Sequence, residues 1–128
     1  MSVNLALGGI PGNPVTVTLA TGEGDVFAPS ADGSPLINVL SLSVCNTDAS
    51  ARIVDLYWND GTTSFQFFKK SVPANESVVV TDILIPLTPS AVDGGGVAKK
   101  IRGKAAAGSV VVVTVHYSTI MAQRSQLQ

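Results

Sequence analysis

One histidine (His116), one cysteine (Cys45) and two glutamates (Glu23, Glu76) are a thin stock for catalysis in a chain of 128 residues. Paired-carboxylate chemistry needs two acids in a dry cleft with their pKa values pushed apart. Here every acid except Asp55 falls in or beside a turn-forming stretch. Asp48, Asp60, Asp82 and Asp93 therefore read as turn and loop-boundary residues, whose short side chains bond the nearby backbone. A stable transition-metal site takes three or four protein ligands, so a single His beside a single Cys predicts no metal centre, and His116 reads as an exposed or interface side chain. No G-x-S-x-G, phosphate-binding loop or dinucleotide fingerprint occurs, and Gly94-Gly95-Gly96 lacks the following helix that would make it a phosphate cradle. The expectation is a protein without enzymatic activity and without a cofactor.

One charge pattern stands apart. Lys99, Lys100, Arg102 and Lys104 gather half of the eight cations into six positions. A period of two puts Lys100, Arg102 and Lys104 on one face of a strand. Three readings of this candidate interaction site are open: a solvated outer face, in which lysines guard an edge against aggregation; a footprint that docks on an acidic protein surface; and a nucleic-acid contact. The last is the weakest, because the patch is small and no aromatic is interleaved with it for base stacking.

The composition sets the frame for these side chains. Apolar residues are 45% of the chain and charged ones 13%, with a formal net charge of −1. Such a balance gives no bulk attraction to nucleic acid or to a membrane surface, and no window of 18 apolar residues exists to span a bilayer. The start, MSVNLALGGIPGNP, has neither the basic residues nor the unbroken apolar stretch of a secretory signal. A lone cysteine forms no internal disulfide, and Cys45 at the end of an apolar strand reads as a small buried or half-buried filler, with a reactive or intermolecular thiol as the minority reading.

Nearly every element that must position these residues alternates with a period of two. Strands are predicted at Val15–Leu19, with Val15, Val17 and Leu19 inward; at Leu36–Cys45, with Leu36, Leu40, Leu42 and Val44 inward; and at Arg52–Trp58, with Val54, Leu56 and Trp58 inward. Asn59-Asp60-Gly61 is the strongest hairpin signal, leading into a strand at Ser64–Lys70 in which Phe65 or Phe67 meets Trp58. Further strands are expected at Val78–Ile85, Val97–Ala105 and Ser109–Ile120, the last with Val111, Val113, Val115 and Tyr117 inward. Thr21–Pro35 and Pro86–Gly96 read as loops from their Gly, Pro and acid content. The whole predicts one all-β domain at 15–120, an antiparallel β-sandwich of about seven to eight strands, immunoglobulin-like or jelly-roll-like. It is flanked by an N-terminal arm at 1–14 and a C-terminal tail at 121–128. Arm, tail and the two loops are expected to carry intermolecular contacts.

Asn46-Thr47-Asp48-Ala49-Ser50-Ala51 lies between two strands, the second ending in Tyr57-Trp58. There follow Ser71-Val72-Pro73-Ala74-Asn75-Glu76-Ser77, a Lys-bearing strand, Ala105-Ala106-Ala107-Gly108, and a Val-rich strand ending His116-Tyr117-Ser118. In this order of motifs, residues 36 to 120 resemble small β-sandwich structural proteins of tailed-bacteriophage virions. The resemblance implies a virion accessory, either a decoration or cement protein of the capsid or a neck, collar or tail accessory. Its partners would be other virion proteins and copies of itself. The contrasting expectation is a carbohydrate- or receptor-binding module, for which Tyr57, Trp58 and Phe68 would form an exposed stacking platform.

Overall fold

The computed structural model describes residues 10–28, 36–81, 85–87 and 99–120. Ten strands are described: β1 (Ile10–Pro11), β2 (Val15–Thr18), β3 (Gly24–Phe27), β4 (Leu36–Asn46), β5 (Arg52–Asn59), β6 (Ser64–Val72), β7 (Ser77–Val80), β8 (Ile85–Leu87), β9 (Lys100–Ala105) and β10 (Val111–Ile120). Gly94 to Gly96, the first nine residues and the tail at 121–128 lie outside the described residues.

The strands pair as one antiparallel ribbon folded upon itself. β2 pairs with β10, β3 with β9, β4 with β7 and β8, and β5 with β6, so that each pair nests inside the one before it. Rolling that ribbon up brings β10 against β4 and β9 against β5. Two facing sheets result. Sheet A runs β2-β10-β4-β7, with β1 continuing the edge beyond β2 and β8 continuing the edge beyond β7; sheet B runs β3-β9-β5-β6. This nested order is a jelly roll. Of the two sandwich types compatible with the sequence, the immunoglobulin-like one is thereby set aside, because its sheets are not built from strand pairs nested in this way.

The core between the sheets is aliphatic. Leu42, Val44, Val111, Val113 and Val115 from sheet A meet Val54, Leu56, Val72, Ile101 and Ala105 from sheet B, with Leu19, Val26, Ile37, Val39 and Leu87 closing the ends. Gly103 also faces inward. A methyl group there would stand 2.9 Å from Cδ2 of Leu56 and 3.2 Å from the Asp55 carbonyl oxygen, so the absence of a side chain is what lets the Leu56 branch lie against β9. At the other end of β10 the Tyr117 ring lies directly over Gly12, where any Cβ would overlap it. The same ring stacks on Phe27 at 4.7 Å between centroids, and Gly12 N–H donates to the Tyr117 carbonyl at 3.0 Å.

Three sequence expectations need correction. Leu40 is 44% exposed, while Ile37 and Val39 are buried. The cause is a β-bulge: Val39 pairs with Tyr117 and Ser41 with His116, which leaves Leu40 as an extra residue. One added residue reverses the alternation, so the inward set changes from odd to even positions along β4. Second, Gly24–Phe27 is a strand inside the stretch read as loop, held by its ladder to β9. Third, Ile10–Pro11 of the expected arm is paired with β10, and Ile85–Leu87, which straddles the expected end of a strand, is paired with β4 as a separate element. These short edge pieces carry too few residues to show a period of their own.

Candidate functional site

β9 sits inside sheet B, with Ile101, Gly103 and Ala105 turned to the core and Lys100, Arg102 and Lys104 turned out. The alternation read from the sequence thus places the three cations on one face, as expected. Its surroundings were not expected. β3 brings two acids alongside: Arg102 Nε lies 3.0 Å from Asp25 Oδ1, its Nη1 lies 3.3 Å from Glu23 Oε2, and Lys100 Nζ lies 3.3 Å from Asp25 Oδ1. Arg102 Nη2 also donates to the Glu23 carbonyl at 3.3 Å, and Glu23 accepts from the Ser64 hydroxyl. Lys100 and Arg102 therefore already face acidic partners within the chain. Lys99 precedes the strand, and its charge contributes to holding the Asp60 carboxyl in its ionised form.

On the far side of β9 the row continues through Asp55. This carboxylate is only 6% exposed although it lies on the outward side of β5. It stands opposite Lys104 on one neighbour and Lys69 on the other. Gln66 Nε2 donates to its Oδ1 at 2.6 Å, and Lys69 Nζ is 3.9 Å away. Asp55, with Thr21, Ile53, Lys104, Ala105 and Ala106, lines a depression of about 270 Å³. The outer face of sheet B is thus a lattice of acids on β3 and β5 set between cations on β9 and β6. Such cross-strand pairs stabilise a sheet.

The remaining chemistry-bearing residues are held by local bonds. Asp48 accepts from Arg52 Nε at 2.6 Å and from Ala49 N–H at 2.7 Å. The Arg52 bond, more than the backbone one, holds its carboxyl below the ordinary 3.8. Asp60 accepts from the N–H groups of Thr63 at 2.8 Å and Thr62 at 3.0 Å, and these, Thr63 first, hold it below the ordinary value as well. Both therefore act as turn carboxylates, in accord with their reading from the sequence. Asn46 does more than a turn residue. Fully buried at the end of β4, its Nδ2 donates to the carbonyls of Ser50 at 2.9 Å and Val72 at 3.0 Å, and its Oδ1 accepts from Asp48 N–H at 3.0 Å. It ties the β4–β5 turn of one sheet to the end of β6 in the other. A buried hub of this kind has no periodic signature, and only the Asn-x-Asp spacing hints at it.

His116 is exposed on the outside of β10, and Cys45 is half-buried on the outside of β4. Among the described residues no three His, Cys, Asp or Glu side chains converge as metal ligands. The aromatics are divided. Trp58 and Phe68 pack against the core, Tyr57 is half-buried on the outer face of β5, and Phe65 is 51% exposed with its ring 5.9 Å from Trp58. Trp58 and Phe65 do meet across the β5–β6 pair. The three residues named for a stacking platform do not share one exposed surface.

The sheets differ in charge. β3, β5, β6 and β9 carry Asp25, Arg52, Asp55, Lys69, Lys70, Lys100, Arg102 and Lys104, whereas β1, β2, β4, β7, β8 and β10 contain no Asp, Glu, Lys or Arg. Fold and surface define an all-β sandwich with one ionic and one uncharged sheet. No family model, curated protein or solved structure matches this chain.

Proposed function

We propose that the chain is a non-enzymatic structural component of a tailed-phage virion, an accessory of decoration, cement, neck or collar type that binds other virion proteins and stabilises the particle. The observation that carries this reading is the surface chemistry. The described strands of sheet A carry no Asp, Glu, Lys or Arg and sheet B pairs most of its charges internally, which suits contact with protein, where interface centres are depleted of charge. The likeness of residues 36–120 to phage β-sandwich proteins supports the same class, and the jelly roll is an architecture that viral capsids use, an analogy of fold alone.

The test is co-sedimentation of the purified chain with tailed-phage particles assembled without it. The reading expects saturable attachment that persists at high salt, since contacts between neutral surfaces are weakly screened. Absence of attachment at any salt concentration, to particles and to their separated neck and tail structures alike, would refute it.

A further inference from the structure

We infer that the outer face of sheet A is a self-association surface, on which a second copy of this chain packs face to face about a two-fold axis. The inference deepens the proposed function by naming one partner, and it rests on that reading only in treating the chain as an assembling subunit.

The face is built from Thr16 and Thr18 on β2, Val112, Thr114 and His116 on β10, Leu40, Ser41, Ser43 and Cys45 on β4, and Ser77 and Val79 on β7; all of these are exposed or half-exposed. The pairing registers align them in rows: Thr18, Val112, Cys45, Ser77, and next to it Thr16, Thr114, Ser43, Val79. Within the second row the hydroxyls of Thr16 and Thr114 stand 3.5 Å apart.

Three properties select a second copy as the occupant. A two-fold interface sets one patch against itself, residue i meeting j and j meeting i, so the patch as a whole must complement itself. A hydroxyl both donates and accepts a hydrogen bond, so rows of hydroxyls complement one another whichever residues are brought face to face. The face carries no fixed charge to desolvate and no long flexible side chain to immobilise, which keeps the two main costs of burial small. The bulge in β4 turns Leu40 outward onto this face, where it joins Val79, which is 60% exposed. Without the extra residue, the phase of Leu42 and Val44 would carry Leu40 into the core.

The size is sufficient. The six strands of sheet A, β1 and β8 included, hold 34 residues, and at about 3.3 Å along and about 4.8 Å across each they span ~540 Å² per copy. Two copies then bury about 1,100 Å², the size of a weak, transient contact. The pairing should accordingly be reversible and depend on concentration.

Sedimentation equilibrium of the full-length chain over a range of concentrations tests this. The expected result is a monomer–dimer equilibrium that Thr114→Lys weakens by at least about tenfold, one such factor being 1.4 kcal/mol, since two copies would place the new ammonium groups in one uncharged interface. His116→Lys, at an exposed position that cannot disturb the core, should do the same. Gln66→Lys, on the outer face of sheet B, should leave the equilibrium unchanged. Cys45, the single thiol, supplies an independent reading: its labelling by a maleimide should slow as concentration rises and stay fast in Thr114→Lys. A chain that remains monomeric at about 1 mM, or a dimer indifferent to both lysines on sheet A with labelling of Cys45 independent of concentration, would overturn the inference. Attachment to particles by a strictly monomeric chain would overturn the pairing alone. Dimers that never attach would overturn the virion reading alone.

Discussion

Asn46 is the residue on which most depends for its size. Its amide bonds backbone groups in the β4–β5 turn and at the end of β6, the Val72 bond fully buried and the Ser50 and Asp48 bonds partly so. Asn46→Ala leaves the carbonyls of Ser50, Val72 and Pro73 and the Asp48 N–H without that partner and should cost about 2–4 kcal/mol, more than one neutral hydrogen bond, because a buried unsatisfied group retains its desolvation penalty. Chemical denaturation reads this directly, and a loss below about 1 kcal/mol would show that water replaces the amide. Asp48 and Asp60 give a second residue-scale expectation. Both folded carboxyls are held below 3.8, Asp48 chiefly by Arg52 and Asp60 chiefly by the Thr63 N–H. Their stabilisation is therefore complete above about pH 5 and is lost as the pH falls below the unfolded value and through the lowered folded ones. Asp60→Asn keeps an oxygen acceptor but does not titrate. Its stability should fall less steeply than that of the parent between about pH 5 and pH 2, measured by urea unfolding at each pH.

At the scale of the element, β5 and β9 are matched by one missing side chain. Leu56 occupies space above Gly103 that any Cβ would invade. Leu56→Ala should cost about 2–5 kcal/mol through the cavity it leaves, and Gly103→Ala about 1–3 kcal/mol through overpacking. In the double variant the new methyl enters the vacated space. The two losses should then fall short of additivity by at least about 0.5 kcal/mol, whereas strict additivity in thermal or urea unfolding would show that the two positions do not share a cavity. Phase within an element was legible where alternation ran unbroken: Val54 and Leu56, Val111, Val113 and Val115, and Ile101 and Ala105 are inward as their patterns indicate. It failed at Leu40, because a bulge leaves no mark on a run of Leu, Ser and Val that reads equally well in either phase until the partner strand selects one.

For the whole molecule, nested pairing has a kinetic and a dynamic consequence. β2 and β10 meet with Val15 opposite Val115, so the outermost pair closes nearly the entire chain into a loop. Contacts of such sequence separation make folding slow, in the range of milliseconds to seconds or longer. Amide exchange in the native state should rank the elements by position: slowest in β10, β4, β9 and β5, which have a neighbour on both sides, and fastest in β3 and β6 at the edges of sheet B. Uniform protection across edge and interior strands would contradict a sandwich of two open sheets. The same nesting explains the ionic lattice of sheet B, since β3 and β9 are far apart in sequence yet adjacent in the sheet, which brings Glu23 and Asp25 to Lys100 and Arg102.

The sequence by itself determined the class of fold, most strand positions, the aliphatic core, the turn roles of Asp48 and Asp60 and the common face of Lys100, Arg102 and Lys104. Each of these follows from local periodicity or from the backbone chemistry of a few adjacent residues. Only the tertiary structure decided which strands are neighbours, and with it the choice of jelly roll, the presence of β3, the bulge at Leu40, the buried hub at Asn46 and the acids that face the β9 cations. Those features depend on pairing between distant segments, which alternation within one strand does not encode. The absence of charge from sheet A belongs to both levels: every residue of it can be read in the sequence, but it becomes a single surface only when the rolled ribbon sets β2, β10, β4 and β7 side by side.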